Sequence, residues 1–157
     1  PDEGEVVCWE EPASSPVRQT GHPPSAGGGL VSTAHDYLRF MNMLRNDGEL
    51  EGVRILQPKT VAEMVTNHLP DALIPIHTGD VMLEGTGYGL GYGVCVGKAD
   101  WLGGMGLGTY FWNGYFGTCA WHDPQRDLIG VFMTQAINYL ETIIVIMNIV
   151  NRIIPAS

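Results

Sequence analysis

Two strand-like runs, residues 117–122 and 127–134, are separated by only Asp123-Pro124-Gln125-Arg126. Pro124 presets φ for a tight turn, with Asp123 ahead of it. A parallel pair needs a crossover of about a dozen residues or more, so these two runs are antiparallel neighbours. Thr109–Trp112, approached through the flexible stretch Gly103–Gly108, predicts a further strand. The tail then changes period: Leu140, Ile143, Ile144 and Met147 recur at helical spacing, and Val145, Ile146 and Ile149 are apolar on the other faces. That pattern predicts a helix buried all round. The expected core is three antiparallel strands, about 108–113, 116–122 and 127–134, against a C-terminal helix near 138–153, with boundaries good to about ±2–4 residues.

Ahead of this unit the signals are helical. Ser32 or Thr33 suits an N-cap and Asp36 suits the positive end of a helix. Tyr37, Phe40, Met41 and Leu44 follow at i, i+3, i+4, i+7, and Asn46-Asp47-Gly48 is a stop signal. A second helix opens at Pro58 with Val61, Met64 and Val65 inward, and Pro70 and Pro75 end it in a loop. From Gly85 the run Gly87–Val94 alternates glycine with larger residues, a strand with one nearly bare face. Residues 1–29, rich in Pro, Gly, Ser and Glu and ending in Gly27-Gly28-Gly29, read as an irregular lead-in. The organisation is thus a lead-in (1–29), a helical part (30–70) and a sheet with its helix (85–154). The fold class is α+β: an antiparallel sheet packed on a C-terminal helix, plus a small helical cluster of its own.

Composition excludes several function classes. Eight basic against 17 acidic side chains, net charge −9, argue against nucleic acid or an anionic membrane surface as partner, because phosphate recognition needs Lys and Arg. The longest apolar run, Ile143–Met147, is too short to insert in a membrane. Cys8, Cys95 and Cys119 are odd in number and lack a Cys-x-x-Cys spacing, so they read as buried small hydrophobes rather than a disulfide framework or zinc site. His22, His35, His68 and His77 have no metal-ligand spacing. Gly87–Gly93 lacks the Gly-Lys-Ser/Thr of a phosphate loop. Met41, Met43 and Met64 read as core filler. His122-Asp123 suggests a catalytic dyad at first sight, but its place at a hairpin turn reads as a surface role. No cofactor or metal is expected.

Five segments in order resemble one family. They are Gly27–Phe40; Gly48-Glu49-Leu50 with Arg54–Val61; Tyr88-Gly89-Leu90-Gly91-Tyr92-Gly93; Trp112-Asn113-Gly114; and Gly117-Thr118 with Asp123-Pro124 and Leu128–Gln135. Together, over roughly residues 26–154, they resemble the C-terminal half of the serine β-lactamase-like hydrolases: class C β-lactamases, D-alanyl-D-alanine carboxypeptidases and esterases of the family VIII type. The resemblance implies that Trp112-Asn113-Gly114 is the third active-site motif, in the Trp-Gly-Gly form of the esterase branch, with Asn113 where that branch usually has Gly. It also implies that Trp112, Asn113 and Gly114 bind substrate and that the backbone N–H of Tyr115 is an oxyanion-hole donor. Acyl transfer develops negative charge on the carbonyl oxygen, and a fixed edge-strand N–H can meet it.

The family's nucleophile and base sit in Ser-x-x-Lys, followed by a tyrosine motif such as Tyr-x-Asn. None of Ser14, Ser15, Ser25, Ser32 and Ser157 has Lys three residues on, and no tyrosine begins Tyr-x-Asn. Lys59-Thr60 is followed by Val61 in a helical context, so Lys59 reads as a solvated surface residue. The expectation is that the nucleophile belongs to an absent N-terminal half. This chain would then be one wall of a serine hydrolase acting on small carboxylic esters, inactive alone, with that missing half or a second copy as partner. A β-lactamase or carboxypeptidase acting on β-lactam-like substrates is the alternative within the enzyme class. A non-catalytic binding module is the alternative outside it. The compartment is left open.

Overall fold

The structure is a computed structural model. It describes residues 7, 8, 11, 13–15, 18, 21, 23, 27, 28, 30–78, 81–137 and 140–154. The chain divides into two compact units, Pro1–Ser32 and Thr33–Ser157. In the first, the described residues form isolated turns, with the Ser14 N–H donating to the Glu11 carbonyl at 3.0 Å and Arg18 to Ser15 at 3.0 Å. The predicted glycine run extends to Gly29, which lies outside the described residues, as do Ser25, Ser157 and His22.

The second unit opens with α1 (Ala34–Arg45). Thr33 is its N-cap: the Thr33 hydroxyl accepts from the Asp36 N–H at 3.1 Å, relieving one of the helix's orphan donors. The helix stops where predicted. Asp47 (φ 53°) and Gly48 (φ 91°) take left-handed backbone, and the Gly48 N–H closes back onto the Met43 carbonyl at 2.8 Å. A short hairpin, β1 (Glu49–Leu50) with β2 (Val53–Arg54), leads to α2 (Pro58–Met64), which has Pro58 in its first turn and Val61 buried.

A second hairpin, β3 (Ile76–Thr78) with β4 (Val81–Leu83), occupies the stretch expected to be loop. The main sheet follows. Its five strands are β5 (Thr86–Tyr88), β6 (Gly93–Cys95), β7 (Tyr110–Asn113), β8 (Cys119–Asp123) and β9 (Leu128–Phe132). Each is antiparallel to its neighbours in sequence, in the order β5-β6-β7-β8-β9. The glycine-alternating run is therefore a hairpin and not the single strand expected. The Gly89 N–H donates to the Tyr92 carbonyl at 2.8 Å across its turn, and Gly91 (φ 96°) supplies the left-handed residue. The three later strands match expectation. The last helix, α3 (Leu140–Ile153), begins within the expected span; residues 138 and 139 lie outside the described residues.

Both faces of the sheet are covered. On one, Cys95, Phe111, Cys119 and Trp121 pack with Ile143 and Met147 of α3. On the other, Val94, Tyr110 and Ala120 pack with Met41, Met43 and Leu44 of α1 and Val61 of α2. The two early helices do cluster with each other, but the cluster is not separate as expected: it shares its core with the sheet. The helical periodicity of α1 identifies a buried face without saying what covers it. Side chains alternate along a strand, so β8 feeds both cores in turn.

The C-terminal helix also departs from expectation. It buries Ile143, Met147 and Asn151 but leaves Val145, Ile149 and Ile153 exposed, because the sheet covers only one side of it. Among the cysteines, Cys95 and Cys119 are buried as expected, whereas Cys8 is exposed. Met41 and Met43 are buried and Met64 packs beside them, as read from sequence.

Candidate active site

The segment Trp112–Tyr115 sits where β7 leaves the sheet. Asn113 pairs with Cys119 as the last rung of the β7–β8 ladder. Immediately beyond it the Gly114 N–H donates to the Thr118 carbonyl at 2.7 Å, and the Gly117 N–H returns to the Gly114 carbonyl at 3.1 Å, with Gly117 at φ 83°. A Cβ on Gly114 would lie 2.3 Å from Thr118 Oγ1, so that hydroxyl would have to rotate away. The two backbone hydrogen bonds hold the turn in shape. Tyr115 projects outward, 69% exposed, with its ring edge-to-face with Phe116 at 5.2 Å. The Tyr115 N–H donates no backbone hydrogen bond to a described residue. The far side of the loop is tied down by the Ala136 N–H, which donates to the Phe116 carbonyl at 3.0 Å.

Trp112 is half-buried and stands edge-to-face with Tyr88 of β5, centroids 4.9 Å apart and planes at 82°. The structure thus brings together Trp112, Asn113, Gly114 and Tyr115 in one short segment and adds Tyr88 from two strands away. Tyr88 lies in the Gly-Leu-Gly-aromatic segment, but its approach to Trp112 is a tertiary event with no local signal.

Other nucleophile and base candidates do not assemble. His122 and Asp123 are both buried, 7% and 0% exposed, which corrects the surface reading. They are adjacent on a strand, so their side chains point to opposite faces and cannot act as a dyad. Asp123 instead organises the turn. It accepts from the N–H groups of Gln125 at 2.9 Å, Arg126 at 3.3 Å and Gly106 at 3.3 Å, and pairs with the Arg126 guanidinium. His122 lies on the α1 side against the Tyr110 ring, 5.1 Å between centroids. Neither ring nitrogen has a partner among the described residues. Burial pushes the Cys95 and Cys119 thiols up to about 12, so neither is a thiolate nucleophile at neutral pH. Lys59 is exposed on α2, as expected, and Lys98 is exposed in an ion pair with Asp100 at 2.6 Å. An open depression lined by Lys98, Met105, Gln125 and Arg126 lies apart from the Trp112 segment, and its Arg126 is already engaged by Asp123 and the Ile154 carbonyl.

The family model "Beta-lactamase" matches residues 3–139, most of the chain. The chain belongs to the beta-lactamase family. Within that family it is 44% identical over 121 residues to "Protein Rv1367c" of Mycobacterium tuberculosis strain H37Rv, and equally to "Uncharacterized protein MT1414" of strain CDC 1551. Each match covers 72% of this chain and 30% of the relative. Among solved structures the chain resembles "EstCE1, a hydrolase with promiscuous acyltransferase activity", with TM-score 0.65 and 26% identity, covering 83% of this chain and 33% of that one. The chain thus spans about a third of the length of the relatives it matches. The fold is that of a beta-lactamase-like serine hydrolase, and the α+β architecture inferred from sequence is the observed one.

Proposed function

We propose that the chain forms one wall of a serine acyl-transfer site for small carboxylic esters, with the nucleophile supplied by a Ser-x-x-Lys segment outside residues 1–157. The observation that carries this reading is the Trp112-Asn113-Gly114 segment. It sits at the end of a sheet strand, in a turn whose shape Gly114 and Thr118 hold; the resemblance implies that the uncharged Trp112 stands where lactam-directed members have the lysine of a Lys-Thr-Gly motif. In this reading the Tyr115 N–H donates to the developing oxyanion, and Trp112, Asn113 and Gly114 line the substrate. The similarity to EstCE1, a hydrolase with promiscuous acyltransferase activity, supports it.

Two surfaces support a partner for the isolated chain. The outer edge of β9 pairs with no described strand, and its residues Leu128, Ile129, Val131 and Phe132 are uncharged and only half-buried. Such an edge invites strand addition. Val145, Ile149 and Ile153 form an exposed apolar stripe on α3. The expected partner is the remainder of the polypeptide or, failing that, a second copy.

The test compares residues 1–157 alone with the full-length protein on 4-nitrophenyl butyrate and nitrocefin. The chain alone is expected to turn over neither, and the full-length protein to favour the ester. Turnover by the pure chain, blocked by a serine-directed phosphonate, would overturn the division of labour. Preference for nitrocefin would favour the lactamase or carboxypeptidase reading. A full-length sequence without Ser-x-x-Lys, inactive on both, would favour a binding module.

A further inference from the structure

Tyr88 is held more firmly than its surroundings require. Its N–H donates to Asn67 Oδ1 at 3.0 Å, and its carbonyl accepts from the His68 N–H at 2.9 Å. Asn67 is itself fixed: Oδ1 also accepts from the Leu69 N–H at 3.0 Å, and Nδ2 donates to the Leu69 carbonyl at 2.9 Å. The glycines on either side of Tyr88 are closed against the same segment. A Cβ on Gly87 would lie 2.2 Å from Asn67 Oδ1, and one on Gly89 would lie 2.2 Å from the Met64 carbonyl oxygen. The backbone of this edge-strand tyrosine is thus clamped by the segment that ends α2.

The side chain does not repay the clamp as packing. A tyrosine retained for the core buries its ring and finds a partner for its hydroxyl. Tyr88 is only half-buried, its cross-strand partner is Gly93, and its hydroxyl makes no hydrogen bond to a described residue. Among the described residues, the ring beside it is that of Trp112. A rigid backbone, an incompletely buried ring and an unengaged hydroxyl beside the motif residue are the features of a preorganised binding wall.

We propose that Tyr88 is a specificity-determining residue of the ester site: with Trp112 it forms an aromatic corner that receives the acyl chain and limits it to short alkyl groups. This rests on the ester-hydrolase reading above. The ring, not the hydroxyl, sets the limit, since a chain of methylenes is selected by the space and apolar area it meets.

The experiment measures kcat/KM of the full-length protein on 4-nitrophenyl acetate, butyrate and octanoate. Wild type is expected to favour the two short esters. Tyr88→Ala is expected to raise the octanoate-to-acetate ratio by about tenfold or more, the effect of a few methylenes' worth of space. Tyr88→Phe is expected to keep the wild-type ratio. Should Tyr88→Ala fail to fold, as read by circular dichroism, Tyr88→Leu carries the same expectation in direction. An unchanged ratio in whichever of these two folds overturns the role of Tyr88 while leaving the ester reading intact. A ratio that moves as much in Tyr88→Phe as in Tyr88→Ala overturns the assignment to the ring. A wild type that hydrolyses none of the three esters overturns the ester reading and this proposal with it.

Discussion

Arg126 and Asp123, three residues apart around the β8–β9 turn, form an ion pair in which the two side chains are 9% and 0% exposed. Asp123 also accepts from three backbone N–H groups, two in its own turn and one at Gly106 in the loop before β7. Asp123→Ala would take the carboxylate from those donors and from a largely buried guanidinium, which would keep only the neutral carbonyls of Ile154 and Gly104. Removing one partner of a buried pair costs about 3–5 kcal/mol. Urea denaturation is expected to show a loss of that size. A loss below about 1 kcal/mol, typical of an exposed pair, would mean that the turn relaxes to let water in.

Gly130→Ala is expected to destabilise the α3 side of the sheet. The Trp121 indole lies against Gly130, its partner in the β8–β9 ladder, and a Cβ there would come within 2.0 Å of Trp121 Cζ2. A rigid ring 3% exposed has little room to yield. Overpacking of this kind costs about 1–3 kcal/mol. The double variant Gly130→Ala/Trp121→Leu should be less destabilised than the sum of the two single changes. Strict additivity would show that the indole moves aside freely.

Stability should fall on mild acidification, and His122 should account for part of the fall. Burial holds its imidazole below the ordinary 6.5; Asp127 and Asp123 pull the other way, and Arg45 adds to the lowering. Besides these charges, the titratable Tyr110 ring packs on it from β7. The unfolded chain therefore takes up a proton at a pH where the folded chain does not. The contribution is complete above about 6.5 and is lost as pH falls from there through the lowered folded value. Between pH 8 and pH 5, wild type should lose more stability than His122→Leu. Equal losses in the two proteins would remove His122 from the explanation.

Trp112→Lys should move the full-length protein toward lactams. A lysine there would meet the carboxylate of a cephalosporin, a charge-assisted contact of about 1.5–3 kcal/mol, or about ten- to a hundred-fold in kcat/KM. The ratio of cephalosporin to butyrate ester turnover is the readout. If the Lys variant gains nothing on the cephalosporin, Trp112 does not occupy the position that the proposed site requires.

What was legible in the sequence was local. Thr33 as a cap, Pro58 in a first turn and Asp123-Pro124 between two strands each act within a few residues, and each forms the predicted boundary. Gly87–Val94 misleads because alternating glycines look like one pleated strand, whereas Gly89 is a glycine for its contact with the Met64 carbonyl and Gly91 for its φ. His122 and Asp123 mislead because turn-flanking polar residues usually face solvent; here the turn is folded around the carboxylate. Trp112-Asn113-Gly114 stands out as a motif. The meeting of Tyr88 with Trp112 depends on strand order, which no local pattern encodes.

Every strand of the main sheet pairs with its neighbour in sequence, so the sheet can zip up from one end, the longest connection to close being residues 96–109 between β6 and β7. Such contacts are quick to form. The docking of α1 is of another kind. Arg45 meets Asp127 across 82 residues of chain, and the α1-side core closes only when that distance has been collapsed. In folding kinetics the meander with α3 should therefore gain partial protection from hydrogen exchange first. The amides of β8 and β9 should reach full protection only in a later phase, in step with those of α1.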